Sequence, residues 1–165
     1  MYVKELQGVS KKIKRCEVWD AQETLGIYIA PDGNTTQQVS KMKELATNWA
    51  DQMRTGCIAR EEVWLALNST IMRTLYYPAL NLTKSQCKDI MRPLLFYGLP
   101  AMGICRNFPR DLVFAPALYL GIGIKHLYTV QEISRLKDII LHTHASTTTG
   151  QLYRTSFELL IIELG

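Results

Sequence analysis

The sequence predicts a mainly α-helical fold, a helical bundle with a short N-terminal β-hairpin or edge strand. Five segments of helical length repeat apolar residues every three or four positions, whereas only short stretches before residue 30 have a strand-like pattern. The chain has 165 residues, of which 47% are hydrophobic and 21% charged, as in globular proteins that bury a core. We divide it into a β element (1–34), a helical bundle (35–103), and a connector with C-terminal helices (104–165).

The segment 60–77 is expected to form a helix at the centre of the bundle. Two lines of apolar residues run along different faces, so the helix needs cover on more than one side. They are Trp64, Leu67, Ile71 and Leu75, and Leu65, Met72 and Tyr76. Glu61 and Glu62 suit the positive end of the helix dipole, and Pro78 ends the helix.

Before this helix, the pattern predicts strands, a turn and a first helix. Residues 1–12 are polar and expected to fray, 15–18 and 24–29 have β-like composition, and 31–34 (PDGN) is a turn. The first helix is predicted over 37–53, with Thr35 or Thr36 as its N-cap and Gly56 as its C-terminal glycine. Its apolar stripe is Val39, Met42, Leu45, Ala46, Trp49 and Met53.

A third helix is predicted over 84–97, capped by Thr83 and carrying Pro93 as a possible kink. Gly98, Pro100 and Gly103 are expected to interrupt the helical pattern after it. Its inward residues are Cys87, Ile90, Met91, Leu94 and Leu95.

The C-terminal third is predicted to be a packed connector followed by two helices, 130–141 and 150–164. The connector is rich in Pro and Gly but also apolar, which favours packing over disorder. The residues expected to pack are Phe108, Leu112, Val113, Phe114, Leu118, Tyr119 and Leu120. Apolar residues left exposed on the last helix indicate a missing partner.

Composition excludes some classes of protein. The net charge of +4 and pI of about 8.9 are compatible with a nucleic-acid partner without requiring one. Four widely spaced cysteines, Cys16, Cys57, Cys87 and Cys105, favour a reducing compartment over a disulfide scaffold. No signal-peptide or membrane-spanning pattern is present, so we expect an intracellular protein of the nucleus or cytoplasm, with no membrane partner.

Motifs for phosphate-loop, dinucleotide, serine-hydrolase and zinc-protease chemistry are all missing from the sequence. His142 and His144 form an H-x-H, whose side chains point apart on a helix, so a helix-end role is favoured over a metal site. His126 is predicted to be a surface histidine. Cys57 and Cys105 lack a histidine partner in sequence and are interpreted as small buried hydrophobes.

Basic residues give the candidate nucleic-acid contacts. The only dense cluster, KKIKR, contains Lys11, Lys12, Lys14 and Arg15. It could contact phosphates or could be the solvated, charged edge of a strand. Arg106 and Arg110 flank a Phe-Pro pair and could reach a phosphate backbone or lock the connector through backbone carbonyls.

Three stretches carry a family resemblance. They are TLGIYIAPDGN (24–34), GLPAMGICRNFPRDLVFAPALYLGIGIKHLYT (98–129) and TGQLYRTSFELLIIELG (149–165). In this order they resemble the region after the catalytic palm in reverse transcriptases of eukaryotic non-LTR (LINE-like) retroelements. There an LG strand closes the palm, a helical thumb follows, and then a PR…P…GLGI connector, matched here by Pro109-Arg110, Pro116 and 121–124. The family's GG is Leu120-Gly121 here.

The resemblance implies a thumb with two partners. They are an RNA–DNA or RNA template–primer duplex and the rest of the reverse transcriptase polypeptide. The family's polymerase needs magnesium held by palm aspartates, including a Tyr-x-Asp-Asp turn. This chain has no Asp-Asp pair, so it is expected to be a fragment that holds the last palm strands, the thumb and the connector, without the active site, its catalytic residues or a cofactor of its own. The alternatives are a helical protein-interaction module, a decayed retroelement product, and a stand-alone metal or thiol enzyme.

Overall fold

The structure, a computed structural model, describes residues 2–4, 10–12, 17–79 and 81–164. The predicted mainly α fold is confirmed, with 66% of the chain in helices. Among the described residues, four short strands precede the helices: β1 (Tyr2–Lys4), β2 (Ser10–Lys12), β3 (Gln22–Thr24) and β4 (Ile27–Ile29). The helices are α1 (Thr36–Thr55), α2 (Arg60–Ala66), α3 (Met72–Tyr76), α4 (Lys84–Ala101), α5 (Arg110–Phe114), α6 (Leu127–Thr143) and α7 (Thr148–Leu164).

The strands form two antiparallel hairpins, β1 with β2 and β3 with β4. The first corrects the expectation of fraying at 2–4 and 10–12; the rest of 1–12 lies outside the described residues. In the second, Thr24 pairs with Ile27, so Leu25 and Gly26 form the turn, both at positive φ. The predicted strand 24–29 is therefore wrong, because this tight turn divides it. The predicted strand 15–18 is also wrong at its described end, where Val18 lies in a turn.

The start of α1 differs from the prediction in its cap. The Thr35 side chain makes no capping bond, and Asn34 Oδ1 instead accepts from the backbone N–H of Thr36 at 2.9 Å. Thr35 Oγ1 accepts from Gln86 Nε2 of α4 at 3.1 Å. At the other end, Gly56 follows the helix as predicted but is extended, at φ −78°, rather than left-handed.

The central helix consists of α2, one π-helical turn (Leu67–Ile71) and α3. In the π turn the backbone N–H of Met72 bonds to the carbonyl of Leu67, five residues earlier. This wide turn brings Leu67, Ile71, Met72 and Leu75 into the core. The predicted burial is wrong for Trp64 and Leu65, whose side chains are 42% and 57% exposed.

Helix α4 packs most extensively on α1. Its predicted cap is confirmed: Thr83 Oγ1 accepts from the N–H of Gln86, and Gln86 Oε1 accepts from the N–H of Thr83. All five predicted inward residues are buried. The predicted interruption at Gly98 and Pro100 is wrong, since the helix continues through both to Ala101. A Cβ at Gly98 would lie 3.0 Å from Leu67 Cδ1, so this glycine permits close packing there. Gly103, at φ +79°, then ends the helix.

The connector after α4 contains α5 and a 3-10 turn at Ala117–Tyr119. Backbone N–H groups of Ile122 and Ile124 bond to the carbonyls of Leu112 and Val113, which folds the connector back on α5. Val113, Ile124 and Leu127 reach the core. The predicted packing is wrong for Leu112, Leu118, Tyr119 and Leu120, which are 41%, 84%, 71% and 93% exposed, because the connector packs through its returning backbone segment instead.

Candidate nucleic-acid interface

A row of three cationic side chains runs along α4. Lys84, Lys88 and Arg92 are spaced four residues apart and are all exposed. Residues four apart lie one above the other on a helix, about 6 Å apart along its axis. The apolar face of the same helix is buried in the core, so this row is held on a rigid element. It presents three positive charges in a line.

Helix α5 faces this row across a cavity of about 720 Å³. We call this cavity the basic groove; Met91 and Leu95, both nearly buried, are among the residues that line it. Arg110, Asp111 and Phe114 of α5 line it as well, together with His126 before α6. The Arg110 Nη2 donates to the backbone carbonyl of Arg106 at 3.0 Å, which fixes this wall of the groove to the connector.

Cations outnumber anions in the basic groove. Lys84, Lys88, Arg92 and Arg110 oppose two carboxylates, Asp89 and Asp111. The Asp89 carboxylate accepts from Lys43 Nζ of α1 at 3.4 Å, so a further cation balances its charge. The groove is therefore electropositive and suits an anionic ligand.

His126 adds a neutral polar group. Its ring lies edge-on to Phe114, with centroids 4.8 Å apart. Burial, and then the positive charge of Lys84, lower the pKa of His126 below its usual value, so the imidazole is neutral at pH 7. A neutral imidazole offers one hydrogen-bond donor and one acceptor. It does not add to the charge of the groove.

A second cavity, of about 320 Å³, shares Phe114 and His126 with the basic groove. Lys125 and Lys137 line it, with Ile133 of α6. The electropositive surface therefore continues from α4 past His126 to α6.

Of the residues predicted to contact nucleic acid, the structure describes the side chains of Arg106 and Arg110 alone. Arg110 donates to a backbone carbonyl, which is one of its two predicted roles, and it also lines the basic groove. Its contact with a phosphate backbone stays a prediction. Arg106 stacks over the ring of Phe96, with its guanidinium carbon 4.3 Å from the centroid. Lys11 and Lys12 belong to β2, whereas Lys14 and Arg15 lie outside the described residues, so a role for the KKIKR cluster stays a prediction.

The three cations of α4 were missed in the sequence. The signal was present, since Lys84, Lys88 and Arg92 recur every fourth residue beside the apolar stripe. Each looks like an ordinary solvated residue by itself. What distinguishes them is the α5 wall opposite, which depends on the fold.

The other candidate residues from the sequence are Cys57, Cys105, His142 and His144. The expectation that Cys57 and Cys105 are buried is wrong, since both thiols are exposed on loops that the core does not enclose. The ring of His142 stacks on Tyr153 of α7, with centroids 5.8 Å apart and planes at 8°, and His144 follows the end of α6. Within the described ranges, His, Cys, Asp and Glu do not gather in threes as a metal site requires.

None of the helices in the described part of the chain combines the length and apolar character that crossing a membrane requires. Comparison of the chain with protein-family models, curated proteins and solved structures gave no match. The resemblance to reverse transcriptases stays a hypothesis that rests on the sequence motifs.

Proposed function

We propose that this chain is the thumb and connector region of a reverse transcriptase and contacts the backbone of a template–primer duplex. The observation that carries the proposal is the basic groove, in which Lys84, Lys88 and Arg92 face Arg110. Phosphates bound between α4 and α5 would be contacted by charge, without reading the bases. In this proposal, polymerase chemistry belongs to a palm and its magnesium, and this region positions the duplex.

The direct test measures binding of the 165-residue chain to a blunt RNA–DNA hybrid by fluorescence anisotropy. Each phosphate contact adds about 0.9 to the magnitude of the slope of log affinity against log salt. The triple variant Lys84→Gln, Lys88→Gln, Arg92→Gln should weaken binding and reduce that slope by roughly 2 to 3. The affinity of the unaltered chain should be the same for hybrids of different sequence.

The control variant is Arg154→Gln, which removes one exposed cation from α7, away from the groove. It should leave both affinity and slope unchanged. Circular dichroism of every variant checks that the helices are intact. A folded chain that does not bind the hybrid, or a triple variant with the slope of the unaltered chain, would refute the proposal.

The exposed apolar residues of α7 favour a second candidate, a helical protein-interaction module that pairs with another copy of this chain. Seven large apolar side chains of this helix are each at least 47% exposed: Leu152, Phe157, Leu159, Leu160, Ile161, Ile162 and Leu164. A helix that is apolar on most sides is usually covered by a partner. Sedimentation equilibrium tests this candidate; a dimer that dissociates in Leu160→Glu, and no affinity for the hybrid, would favour it over the thumb.

A further inference from the structure

The row of cations on α4 ends at an aromatic side chain. Phe96 follows Arg92 by four residues, so it continues the series that begins at Lys84. Twelve residues of α-helix span about 18 Å. A nucleic-acid strand that follows the cations along α4 would therefore arrive at Phe96.

The ring of Phe96 is in contact with two other side chains, Arg106 and Tyr97. Its side chain is 44% exposed, and the guanidinium of Arg106 lies over its ring at 4.3 Å. Tyr97 contacts Phe96 edge to face, with centroids 5.0 Å apart and planes at 88°. Arg106 is exposed, and its backbone carbonyl is held by Arg110 of the groove wall. We call Phe96 and Arg106 the stacking platform.

Aromatic rings and guanidinium planes are the groups on which unpaired bases stack. A base inside a duplex is already stacked and paired, so it cannot reach such a surface. The interior of a duplex would therefore contact the cations alone. A strand that extends beyond the duplex has free bases, and the stacking platform would bind one of them.

We infer that the site takes a duplex with a single-stranded extension, whose paired part lies along Lys84, Lys88 and Arg92 and whose first unpaired base stacks on Phe96 and Arg106. This inference rests on the proposed function and makes its ligand more specific. Recognition of the base is by its face, so it is independent of base identity.

The test compares three hybrids by anisotropy: a blunt one, one with a short single-stranded extension, and one whose extension is abasic. The abasic strand keeps the phosphates and removes the bases. The extension with bases should bind roughly tenfold more tightly than the abasic one. Phe96→Leu, which removes the ring, and Arg106→Lys, which keeps the charge and loses the plane, should each abolish this difference.

Tyr119→Leu is the matched control, because it removes a 71% exposed aromatic ring that does not line the groove. It should keep the tenfold difference. A second measurement places 2-aminopurine at the first unpaired position, whose fluorescence should fall on binding to the unaltered chain but not to Phe96→Leu.

The outcomes separate the two proposals. Equal binding of the abasic and base-bearing extensions, or a difference that persists in Phe96→Leu and Arg106→Lys, overturns the stacking inference. If salt-dependent binding of blunt hybrid is retained in that case, the proposed function stands. If the folded, unaltered chain binds none of the hybrids, both proposals are overturned.

Discussion

The indole Nε1–H of Trp64 donates a hydrogen bond to the backbone carbonyl of Ile122 at 2.9 Å, joining residues 58 positions apart. Trp64 lies on α2, and Ile122 is in the returning segment of the connector, where its N–H bonds to the carbonyl of Leu112 in α5. This contact ties α5, which forms one wall of the basic groove, to the central helix.

Replacing Trp64 by Phe removes the only donor of that side chain. A hydrogen bond of this kind contributes about 0.5–1.5 kcal/mol net, so Trp64→Phe should lower the free energy of unfolding by about 1 kcal/mol. Urea denaturation measures it. Leu65→Ala is the control, because that side chain is 57% exposed, and its effect should be smaller. Equal stability of Trp64→Phe and the unaltered chain would contradict the role given to this bond.

Gly121 is required because two backbone segments of the connector lie very close together at this position. A Cβ at this position would lie 2.0 Å from the backbone oxygen of Ala115. Gly121→Ala must therefore displace backbone, and we expect it to cost more than about 2 kcal/mol in urea denaturation. Gly123→Ala has only the strain of its positive φ, about 1–2 kcal/mol, with no atom closer than 3.9 Å. A smaller loss for Gly121→Ala than for Gly123→Ala would show that the close approach is relieved at little cost.

Gln38 anchors the β3–β4 hairpin to the helices. Its side chain is 3% exposed; Oε1 accepts from the N–H of Tyr28 at 2.8 Å, and Nε2 donates to the carbonyl of Pro78 at 3.3 Å. Gln38→Leu loses both bonds and should cost about 2 kcal/mol. Hydrogen exchange at the Tyr28 amide should become faster. Gln37→Leu, at an exposed neighbour, should change neither; unaltered exchange in Gln38→Leu would mean that the hairpin is held by other contacts.

Burial raises the pKa of the Cys87 thiol to about 11 from a usual value of 9.0. In the folded chain the thiol keeps its proton between these two values, whereas in the unfolded chain it ionises. The contribution of Cys87 to stability is therefore fully present below pH 9.0 and is lost as the pH rises to about 11. The difference in unfolding free energy between the unaltered chain and Cys87→Ala should shrink across this window.

Thiol labelling at neutral pH is an independent check of the burial of Cys87. Cys57 and Cys105 are exposed and should react in the folded chain. Cys87, which is buried and donates to Gln131 Oε1 at 3.6 Å, should react only as the chain unfolds. Labelling of Cys87 as fast as that of Cys57 would contradict its burial.

Local sequence patterns predicted the helices and much of what they bury. The apolar residues of α4 and the Thr83 cap follow from contacts between residues three or four apart, which the sequence displays directly. Prediction failed where a turn broke a continuous pattern. Leu25 and Gly26 divide a strand-like segment, and the π turn after α2 changes which residues face inward. Leu seldom adopts positive φ, so Leu25 gives no sign that the turn begins there.

The sequence by itself determined that this chain is mainly helical, where most of its helices lie, and that Arg106 and Arg110 are candidate contacts for phosphate. The tertiary structure alone decided that Arg110 faces Lys84, Lys88 and Arg92 across one groove, and that Arg106 stacks on Phe96. The physical reason is the distance along the sequence over which each kind of interaction acts. Helical periodicity and capping act between neighbours in sequence, whereas the groove arises when the connector folds back and packs α5 opposite α4.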